Sequence, residues 1–260
     1  SLCYPPTGTE SVFTGSTQVG QQVMAGCAEQ IKRVTLELGG KNANIIFADS
    51  DVEKAAMAAP YAVFDNAGQD CCARTRILVE QKVFDKFLEH FEVAVKKVRV
   101  EDPNLESSEM GPLISKKQLE SVQTYLDDPV AFTGSKPDGK GFWMAPTVLL
   151  PKDTASRSWR EEVFGPVVSV LPFKDEADAI AKVNDTEYGL SGSIWSNDIG
   201  RALRVARAVE VGVLSINTNS SVRFWTPFGG FKRSGLGREL GPDALDSFTE
   251  VKNVFINTSN

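Results

Sequence analysis

The spacing of apolar residues changes repeatedly along the chain between the period of a strand and that of a helix. Short apolar runs at 43–47 (ANIIF) and 75–80 (TRILVE) are typical of buried strands. Apolar residues from Val83 to Val98 recur at spacings of three and four, which predicts one face of a long helix. This alternation predicts an α/β fold with a largely parallel sheet. Further helices are predicted at 118–126, 175–184 and 200–209, and further strands at 146–150, 166–173, 191–195 and 211–217.

The helix after the first of these strands carries its own start and stop signals. The residues from Ser50 to Glu53 (SDVE) have the pattern of a capping box, with Ser50 as the cap. Pro60 has no N–H to donate, so we expect it to kink this helix or to end its first part.

Two segments rich in turn residues, 134–146 and 224–242, interrupt the alternation. The second contains five glycines, and glycine at that density indicates unusual backbone conformations or close approach of the backbone to a ligand. After it, TEVKNVFIN at 249–257 alternates like a strand with no later element to cover it. We expect such an edge to pair with another chain.

Composition and charge exclude several classes of function. With 42% hydrophobic residues among 260, the chain can bury a sizeable core. Its 34 acidic and 28 basic residues give a net charge of −6 without a basic stripe, which argues against nucleic acid and anionic membranes as partners. No apolar run is long enough to cross a bilayer, and the first residues do not resemble a signal peptide. We therefore expect a soluble, cytoplasmic protein.

The four cysteines are too few for a disulfide framework, so reduced thiols are expected. A structural zinc site needs four Cys or His ligands at paired spacings, whereas only Cys71, Cys72 and the remote His90 are available. We predict no metal site. The adjacent cysteines lie in FDNAGQDCCARTR, behind the flexible Gly68, and the single histidine, His90, falls in a helical pattern away from them.

A thiol without a nearby imidazole needs basic side chains, backbone amides or a carboxylate base to become reactive. Glu37 is the strongest candidate base, because it ends an alternating strand directly before Gly39 and Gly40. Each feature alone also has a structural interpretation: adjacent cysteines are often packed in cores, and a glutamate at a strand end is often solvated. FTGSTQVG at 13–20 fits either a phosphate-binding turn or an ordinary capped helix.

Taken together and in this order, the motifs resemble successive blocks of the aldehyde dehydrogenase superfamily from about residue 12 to the C-terminus. The blocks are FTGSTQVG, LELGGKN, FDNAGQDCCARTR, EMGPL, WREEVFGPV, YGLSGSIW, SINTNSS, PFGGFKRSGLGRELG and TEVKNV. The resemblance implies the α/β catalytic domain of that family with a Rossmann-like parallel sheet. It also implies the end of the cofactor domain and a C-terminal oligomerisation strand. The corresponding domain prediction is 1–38, 39–236 and 237–260.

The resemblance also implies roles for individual residues. Cys71, two places after the glutamine of GQxC, would be the nucleophile, and Glu37 would be the general base. Residues expected to contact an NAD or NADP cofactor are Gly15, Ser16, Thr17, Gly20, Leu38, Glu162 and Phe164. Residues expected to border the aldehyde are Thr218, Trp225 and Phe228.

The implied activity is NAD(P)-dependent oxidation of an aldehyde to a carboxylic acid through a thiohemiacetal and a thioester on Cys71. The implied assembly is a homodimer or homotetramer. The aminoaldehyde and betaine-aldehyde branch is favoured by NAGQDC and by the aromatic FWTPFGG, since aromatic faces hold cationic groups. A CoA-acylating relative is disfavoured, because Glu37 makes water the acceptor.

The N-terminal half of that family has no counterpart in this sequence, so a second hypothesis remains open. The chain would be a fragment, a truncated product or part of a split protein, and would act as an incomplete fragment or interaction module unable to bind NAD by itself. The choice between NAD and NADP stays open, because the residues that read the ribose 2′ position belong mostly to that half.

Overall fold

The structure is a computed structural model that describes residues 8–258. Strands and helices alternate along most of it, as the apolar spacing predicts. The strands are β1 Glu10–Thr14, β2 Arg33–Glu37, β3 Ala43–Ile46, β4 Arg76–Glu80, β5 Val130–Thr133, β6 Thr147–Leu149, β7 Val167–Phe173, β8 Tyr188–Gly189, β9 Ser191–Trp195, β10 Val213–Ile216, β11 Phe231–Lys232 and β12 Gly235–Leu236. The helices are α1 Thr17–Ala28, α2 Val52–Val63, α3 Phe84–Lys97, α4 Lys116–Gln123, α5 Arg157–Arg160, α6 Glu176–Asn184 and α7 Ile199–Ala208.

The main sheet has seven strands in the order β10-β9-β3-β4-β7-β6-β5. Every neighbouring pair in it is parallel except β5 and β6. The α/β class and the largely parallel sheet are therefore confirmed. Each residue of β3 and β4 is buried, because helices cover both faces of the sheet.

Successive residues of the central strands supply two separate cores, as the two-residue period of a strand requires. Ile46 packs on one face with α2 and α3. Ile45 packs on the other face with α6 and α7. The first core includes Ala55, Ala59, Phe87, Phe91 and Val95, and the second includes Ala179, Val183, Ala202 and Val205.

A second sheet of three strands has the order β1-β2-β12 and is covered by α1. Strand β2 pairs in parallel with β1 and antiparallel with β12, where Gly235 lies opposite Glu37. Segment 33–37 is thereby hydrogen-bonded to residues from far along the chain. The predicted boundary at 38/39 falls in the short connection from β2 to β3, and residues 1–7 of the first predicted domain lie outside the described residues.

The capping prediction for α2 was wrong by one residue. Asp51 is the N-cap, and its carboxylate accepts the Lys54 N–H at 3.0 Å. The Ser50 hydroxyl donates to the Phe47 carbonyl at 2.7 Å and closes the preceding turn. Of the two effects expected of Pro60, an end to the first part of the helix was wrong, because α2 continues through Pro60 to Val63, and a kink stays a prediction.

The tail forms no strand within the described chain, and residues 251–258 are exposed. The Thr249 carbonyl accepts from Arg33 at 3.1 Å, and Glu250 forms an ion pair with the same arginine at 3.2 Å. A strand needs a hydrogen-bonded neighbour, so pairing of 249–257 with another chain stays a prediction. Among the described helices, none combines the length and the apolarity needed to span a membrane.

The turn Asp65–Gly68 leads into the two cysteines with three consecutive residues at positive φ. Asn66, Ala67 and Gly68 have φ of 50°, 55° and 69°. A Cβ on Gly68 would lie 2.1 Å from the Gly165 carbonyl oxygen, so the backbone of the turn packs directly on the Phe164–Gly165 segment. Glycine at this position therefore fixes where the cysteines enter the site.

We predict that Gly68→Ala destabilises the fold by more than the about 1–3 kcal/mol of left-handed strain alone, because the new methyl also meets backbone. Gly139→Ala is the matched control, since Gly139 has φ of 103° with nothing within 4 Å of an added Cβ. Urea unfolding of both variants measures the difference. Equal losses of stability would show that the contact with Gly165 does not constrain the turn.

Candidate active site

A cavity of about 560 Å³ lies at the carboxyl ends of β1 and β2. Strand β2 delivers Glu37 to it, and the turn after Gly68 delivers Cys71. Seven of the residues predicted for the site line it together, although they come from four separate segments. They are Gly15, Ser16, Glu37, Leu38, Cys71, Glu162 and Phe164.

Glu37 is buried, with 3% of its surface exposed, and neither carboxylate oxygen has a hydrogen-bond partner within the described chain. Burial raises its pKa to about 7, with a further increase from Glu239 and an opposing effect of Arg238. A carboxylate with unused acceptors and a pKa near neutrality is suited to take a proton from a water molecule or a thiol.

The two cysteines differ in access. Cys71 is half-buried and lines the cavity, whereas Cys72 is buried. The Asp70 carboxylate accepts the Cys72 N–H at 2.8 Å, so the segment is held by a local turn. Thus the thiol at the predicted nucleophile position is the one that reaches the cavity.

The two thiols also perturb each other. The hydrogen bond between them raises the pKa of Cys71 above its ordinary range, and burial raises it further. The same hydrogen bond lowers the pKa of Cys72, and nearby Arg74 acts in the same direction while burial and Asp70 oppose it. Of the two thiols, Cys72 therefore loses its proton more easily. Cys71 retains its proton and needs a proton acceptor before its sulfur can attack.

Asn42 is a buried residue of the site that the sequence analysis missed. Its Nδ2 donates to the carbonyls of Cys71 at 2.7 Å and Ala73 at 3.0 Å. Its Oδ1 accepts the Ser191 N–H at 2.8 Å. One amide therefore fixes the cysteine segment to strand β9, and the only signal in the sequence is its place at the end of LELGGKN.

Glu162 lies on the turn formed by Gly39 and Gly40. Its Oε1 accepts the Gly40 N–H at 2.9 Å, and a Cβ on Gly39 would lie 2.2 Å from Oε2. Burial raises the pKa of Glu162, whereas the Gly40 N–H and Lys41 lower it. Glu162 thus reaches the cavity as predicted, but its carboxylate also binds backbone there.

The beginning of α1 divides its predicted cofactor residues into two groups. Gly15 and Ser16 line the cavity, and the Ser16 hydroxyl caps the helix by accepting the Val19 N–H at 3.4 Å. Gly20 is buried against the Leu38 side chain, where a Cβ would lie 2.5 Å from Leu38 Cδ2, so its place is in helix packing. The Thr17 hydroxyl donates to the Arg233 carbonyl at 3.3 Å, on the side away from the cysteines.

A second cavity, of about 610 Å³, lies on the other side of the cysteine pair. Cys72 lines it, and Asp70 borders both cavities. Of the three residues predicted to border the aldehyde, Thr218 lines this second cavity. Its wall also includes Lys54, Tyr61, Asp65, Arg74, Trp195 and Asn219.

Trp225 and Phe228 line neither of these two cavities. The Trp225 side chain is exposed and packs edge-on against Phe224 with ring centroids 4.6 Å apart. The backbone of Phe228 pairs with Glu239 through two hydrogen bonds of 2.7 Å. The structure therefore does not bring these two aromatic residues to the cysteines.

Possible metal ligands within the described residues also converge on this point. The ligand atoms of Asp70, Cys71 and Cys72 lie within 4.8 Å of one another. Three consecutive residues supply one ligand fewer than the four of a structural zinc site, and two of them are the thiols of the site. The absence of a metal site stays a prediction.

Comparison with known proteins agrees with this geometry. The model of the aldehyde dehydrogenase family matches residues 8–254. The chain belongs to the aldehyde dehydrogenase family. Membership confirms the resemblance drawn from the motifs.

Three relatives show how far the similarity extends. An aldehyde dehydrogenase of Emericella nidulans is 40% identical over 249 residues, which are 93% of this chain and 50% of that protein. Betaine aldehyde dehydrogenase 1 of Oryza sativa subsp. japonica is 38% identical over 97% of this chain and 52% of that protein. The crystal structure of betaine aldehyde dehydrogenase from Staphylococcus aureus in complex with NAD⁺ superposes with a TM-score of 0.88 at 39% identity, over 92% of this chain and 50% of that one. The chain thus spans about half the length of the curated relatives that it matches.

We predict that Cys71 reacts with iodoacetamide faster than Cys72, Cys27 or Cys3. Cys71 is half-buried in a cavity with Glu37, which can accept its proton, whereas Cys72 and Cys27 are buried, so access and the nearby base outweigh the lower pKa of Cys72. Peptide mapping after brief labelling measures the order, and a Cys71→Ser variant serves as the control. The raised pKa of Cys71 should make its labelling rate increase steeply with pH. Preferential labelling of Cys72 would assign the reactive thiol to the other cavity.

Proposed function

We propose that this chain carries the nucleophile and the base for NAD(P)-dependent oxidation of an aldehyde to a carboxylic acid. The observation that supports it most is the meeting of Cys71 and Glu37 in one cavity, with both oxygens of the glutamate unpartnered. Their order along the chain and their motifs match the family, whose full-length members are about twice as long.

The lining of the first cavity fits one end of a nicotinamide dinucleotide. The N-terminus of α1, with no acidic residue in its first turn, presents the positive end of the helix dipole beside Gly15 and Ser16. Glu162 offers a carboxylate that accepts hydrogen bonds from hydroxyl groups, and Phe164 offers an apolar face. When bound, such a cofactor accepts a hydride, which no side chain does. The lining favours neither NAD nor NADP.

The first step of the proposed mechanism forms a bond between Cys71 Sγ and the aldehyde carbon, and the thiol proton passes to a base. The carbonyl oxygen becomes an oxyanion, which needs N–H donors. Because the Cys72 N–H is bonded to Asp70, the backbone amide of Cys71 is the donor that we assign to the oxyanion. The Asn42 amide holds the Cys71 carbonyl and so fixes the plane of the next peptide.

The second step releases the acid. With the dinucleotide bound by the residues named above, the thiohemiacetal oxyanion would give up its hydride to that cofactor and leave a neutral thioester on Cys71. Glu37 then removes a proton from a water molecule, whose oxygen attacks the thioester carbon and expels the Cys71 thiolate. A pKa of about 7 keeps a large share of Glu37 ionised at neutral pH and still basic enough for this task.

For the substrate we propose a polar aldehyde whose tail lies in the second cavity. Its wall carries two acidic side chains, Asp65 and Asp70, and two basic ones, Lys54 and Arg74, with Tyr61 and Trp195 as aromatic surface beside them. The mixed charges suit a polar tail, and the aromatic faces are the part of the lining that favours a cationic tail, in line with the names of two relatives. Trp225 and Phe228, which the motifs suggested for this role, lie elsewhere.

A catalytically incomplete fragment is the second candidate, and exposed apolar side chains around β1 and α1 favour it. Val12, Met24 and Ile31 are 45%, 50% and 91% exposed. A surface of this kind is normally covered by another segment or subunit. We also propose that residues 249–257 pair with a second copy of the chain in a dimer or tetramer.

We predict negligible aldehyde-dependent NADH formation by this polypeptide alone, because half of the length of its relatives is missing from it. Absorbance of NADH with a betaine-type aldehyde measures it, and Cys71→Ser provides the baseline. Turnover above that baseline would reject the incomplete-fragment candidate.

A second prediction separates the roles of Cys71 and Glu37 without any cofactor. With p-nitrophenyl acetate, Cys71 should be acylated in a burst that releases nitrophenolate, and hydrolysis of the acetyl thioester should follow more slowly. Glu37→Gln should keep the burst and slow hydrolysis by about 10²–10⁴-fold, since it removes the base. In the wild-type chain the hydrolysis rate should rise with pH through about 7, as Glu37 loses its proton.

Cys72→Ser is the control for this experiment and should keep both phases. A burst that persists in Cys71→Ser would contradict the assignment of the nucleophile. A hydrolysis rate unchanged in Glu37→Gln would contradict the assignment of the base.

A further inference from the structure

Arg74 is a buried cation that the mechanism does not use. It is 3% exposed, lies two residues after Cys72 and lines the second cavity. Among the described carboxylates, none forms an ion pair with it at 4.0 Å or less. A buried guanidinium without a carboxylate is costly unless several oxygens accept its N–H groups.

The acceptors of Arg74 come from three separate parts of the chain. One Nη donates to the Cys72 carbonyl. The other Nη donates to Ser221 Oγ at 2.7 Å and to the Asn219 carbonyl at 3.2 Å. The Nε donates to Ser193 Oγ in strand β9 at 3.1 Å. One side chain thus binds the cysteine segment, the main sheet and the loop after β10.

That loop, residues 217–222, has little regular structure of its own. It contains no helix or strand, and Asn217 has a positive φ of 55°. Its five residues from Asn217 to Ser221 all line the second cavity, as Val222 does. Its further anchor on helix α2 is the Asn219 amide, which donates to the Ala58 carbonyl at 3.0 Å. The position of this wall therefore depends on a few long-range hydrogen bonds.

We propose that Arg74 is a positioning residue that fastens the 217–222 loop to the carbonyl of Cys72 and thereby sets the shape of the second cavity. The proposal rests on the proposed function, in which the tail of the aldehyde occupies this cavity. Arg74 acts through the loop and the cysteine segment, and its fork of N–H donors explains why an arginine serves here.

Arg76, two residues further along the chain at the start of β4, shows what a purely structural arginine looks like. It is buried as well, but it donates to the carbonyls of Lys41, Lys182 and Val183 and stacks on Trp159. It lines neither of the two cavities beside the cysteines. The loop and the cysteine segment are joined by Arg74 and not by its neighbour.

Arg74→Ala and Arg74→Lys test the proposal against Arg223→Ala as a matched control. Arg223 is exposed and donates to Ser220 Oγ at 2.9 Å, so it contacts the same loop without reaching the cysteines. The measurements are hydrogen exchange of the peptide containing 217–222 and the rate at which iodoacetamide labels the Cys72 thiolate. The second rate is taken from the full pH dependence of labelling, because Arg74 also lowers the pKa of Cys72 and its loss changes the thiolate fraction.

In Arg74→Ala we expect both rates to increase by about tenfold or more, which corresponds to the loss of one or two hydrogen bonds to a charged group. Millimolar guanidinium should reverse both increases by occupying the vacated site. Arg74→Lys should show a smaller increase, and Arg223→Ala should show neither. A folded Arg74→Ala with unchanged exchange and labelling would overturn the proposal. If Arg74→Ala fails to fold, wild-type rates in Arg74→Lys would overturn it.

In a form of the protein that turns over aldehyde, Arg74→Ala should raise KM for the aldehyde more than it lowers kcat, and guanidinium should restore KM. An equal effect on KM for the dinucleotide would contradict the assignment to the aldehyde side. Exchange and labelling need no turnover, so they test Arg74 even where the proposed oxidation fails. Conversely, if the protein oxidises aldehydes and hydrogen exchange of the 217–222 peptide is unchanged in Arg74→Ala, only the positioning role of Arg74 is rejected.

Discussion

The site depends on the close approach of two backbones, the β2–β3 connection and the cysteine segment. A Cβ on Gly40 would lie 2.5 Å from the Cys71 carbonyl oxygen, and one on Gly39 would lie 2.2 Å from Glu162. Glycine at both positions lets the chain between Glu37 and Asn42 pass directly beneath the thiol. Asn42 then closes the contact by donating to the carbonyls on either side of Cys72. Because Glu37 precedes this turn and Cys71 rests on it, the same contact sets the distance between base and nucleophile.

Burial of charge around that turn follows from the same packing. Glu37 and Lys41 lie at its two ends, and neither charged group has a hydrogen-bond partner within the described chain. Burial raises the pKa of Glu37 to about 7 and lowers that of Lys41 to about 7, and in Lys41 the nearby Arg76 adds to the effect. Burying an ionisable group in this way lowers the stability of the fold. Groups with strongly shifted pKa values are therefore found mainly at functional sites, where the shift serves the reaction. In the proposed mechanism the raised pKa of Glu37 has a chemical use, whereas for Lys41 the nearby Glu162 and Glu161 partly offset the effect of burial.

The sequence alone predicted the features that depend on the local spacing of apolar residues and on the order of the motifs. Apolar spacing predicted the strands of the main sheet except the edge strand β5. The motifs predicted a joint role for Glu37 and Cys71, which are far apart in the chain and line one cavity in the structure. Local reasoning failed by one residue at the start of α2, because both Ser50 and Asp51 are competent caps and the Phe47 carbonyl selects Ser50 for the turn.

Hydrogen bonds between side chains that are far apart in the chain could not be predicted from the sequence. Asn42 and Arg74 bind partners up to 149 and 147 residues away, and no spacing rule connects such positions. The position of the aromatic segment could not be predicted for a related reason. Trp225 and Phe228 sit in a segment whose course is set by hydrogen bonds to residues such as Glu239, and composition gives no direction for it.

The adjacent cysteines lie between the two cavities, although both belong to one turn and their thiols are hydrogen-bonded to each other. Cys71 faces Glu37 and the start of α1, and Cys72 faces Arg74 and the 217–222 loop. Asp70 borders both sides, and its carboxylate fixes the Cys72 N–H, so it holds the partition in place. In the proposed mechanism the reacting carbon is bonded to the Cys71 sulfur, next to the residue that borders both cavities. An aldehyde needs space on two sides of that carbon, one for its tail and one for the hydrogen that it loses, and the two cavities are the spaces that we propose for them.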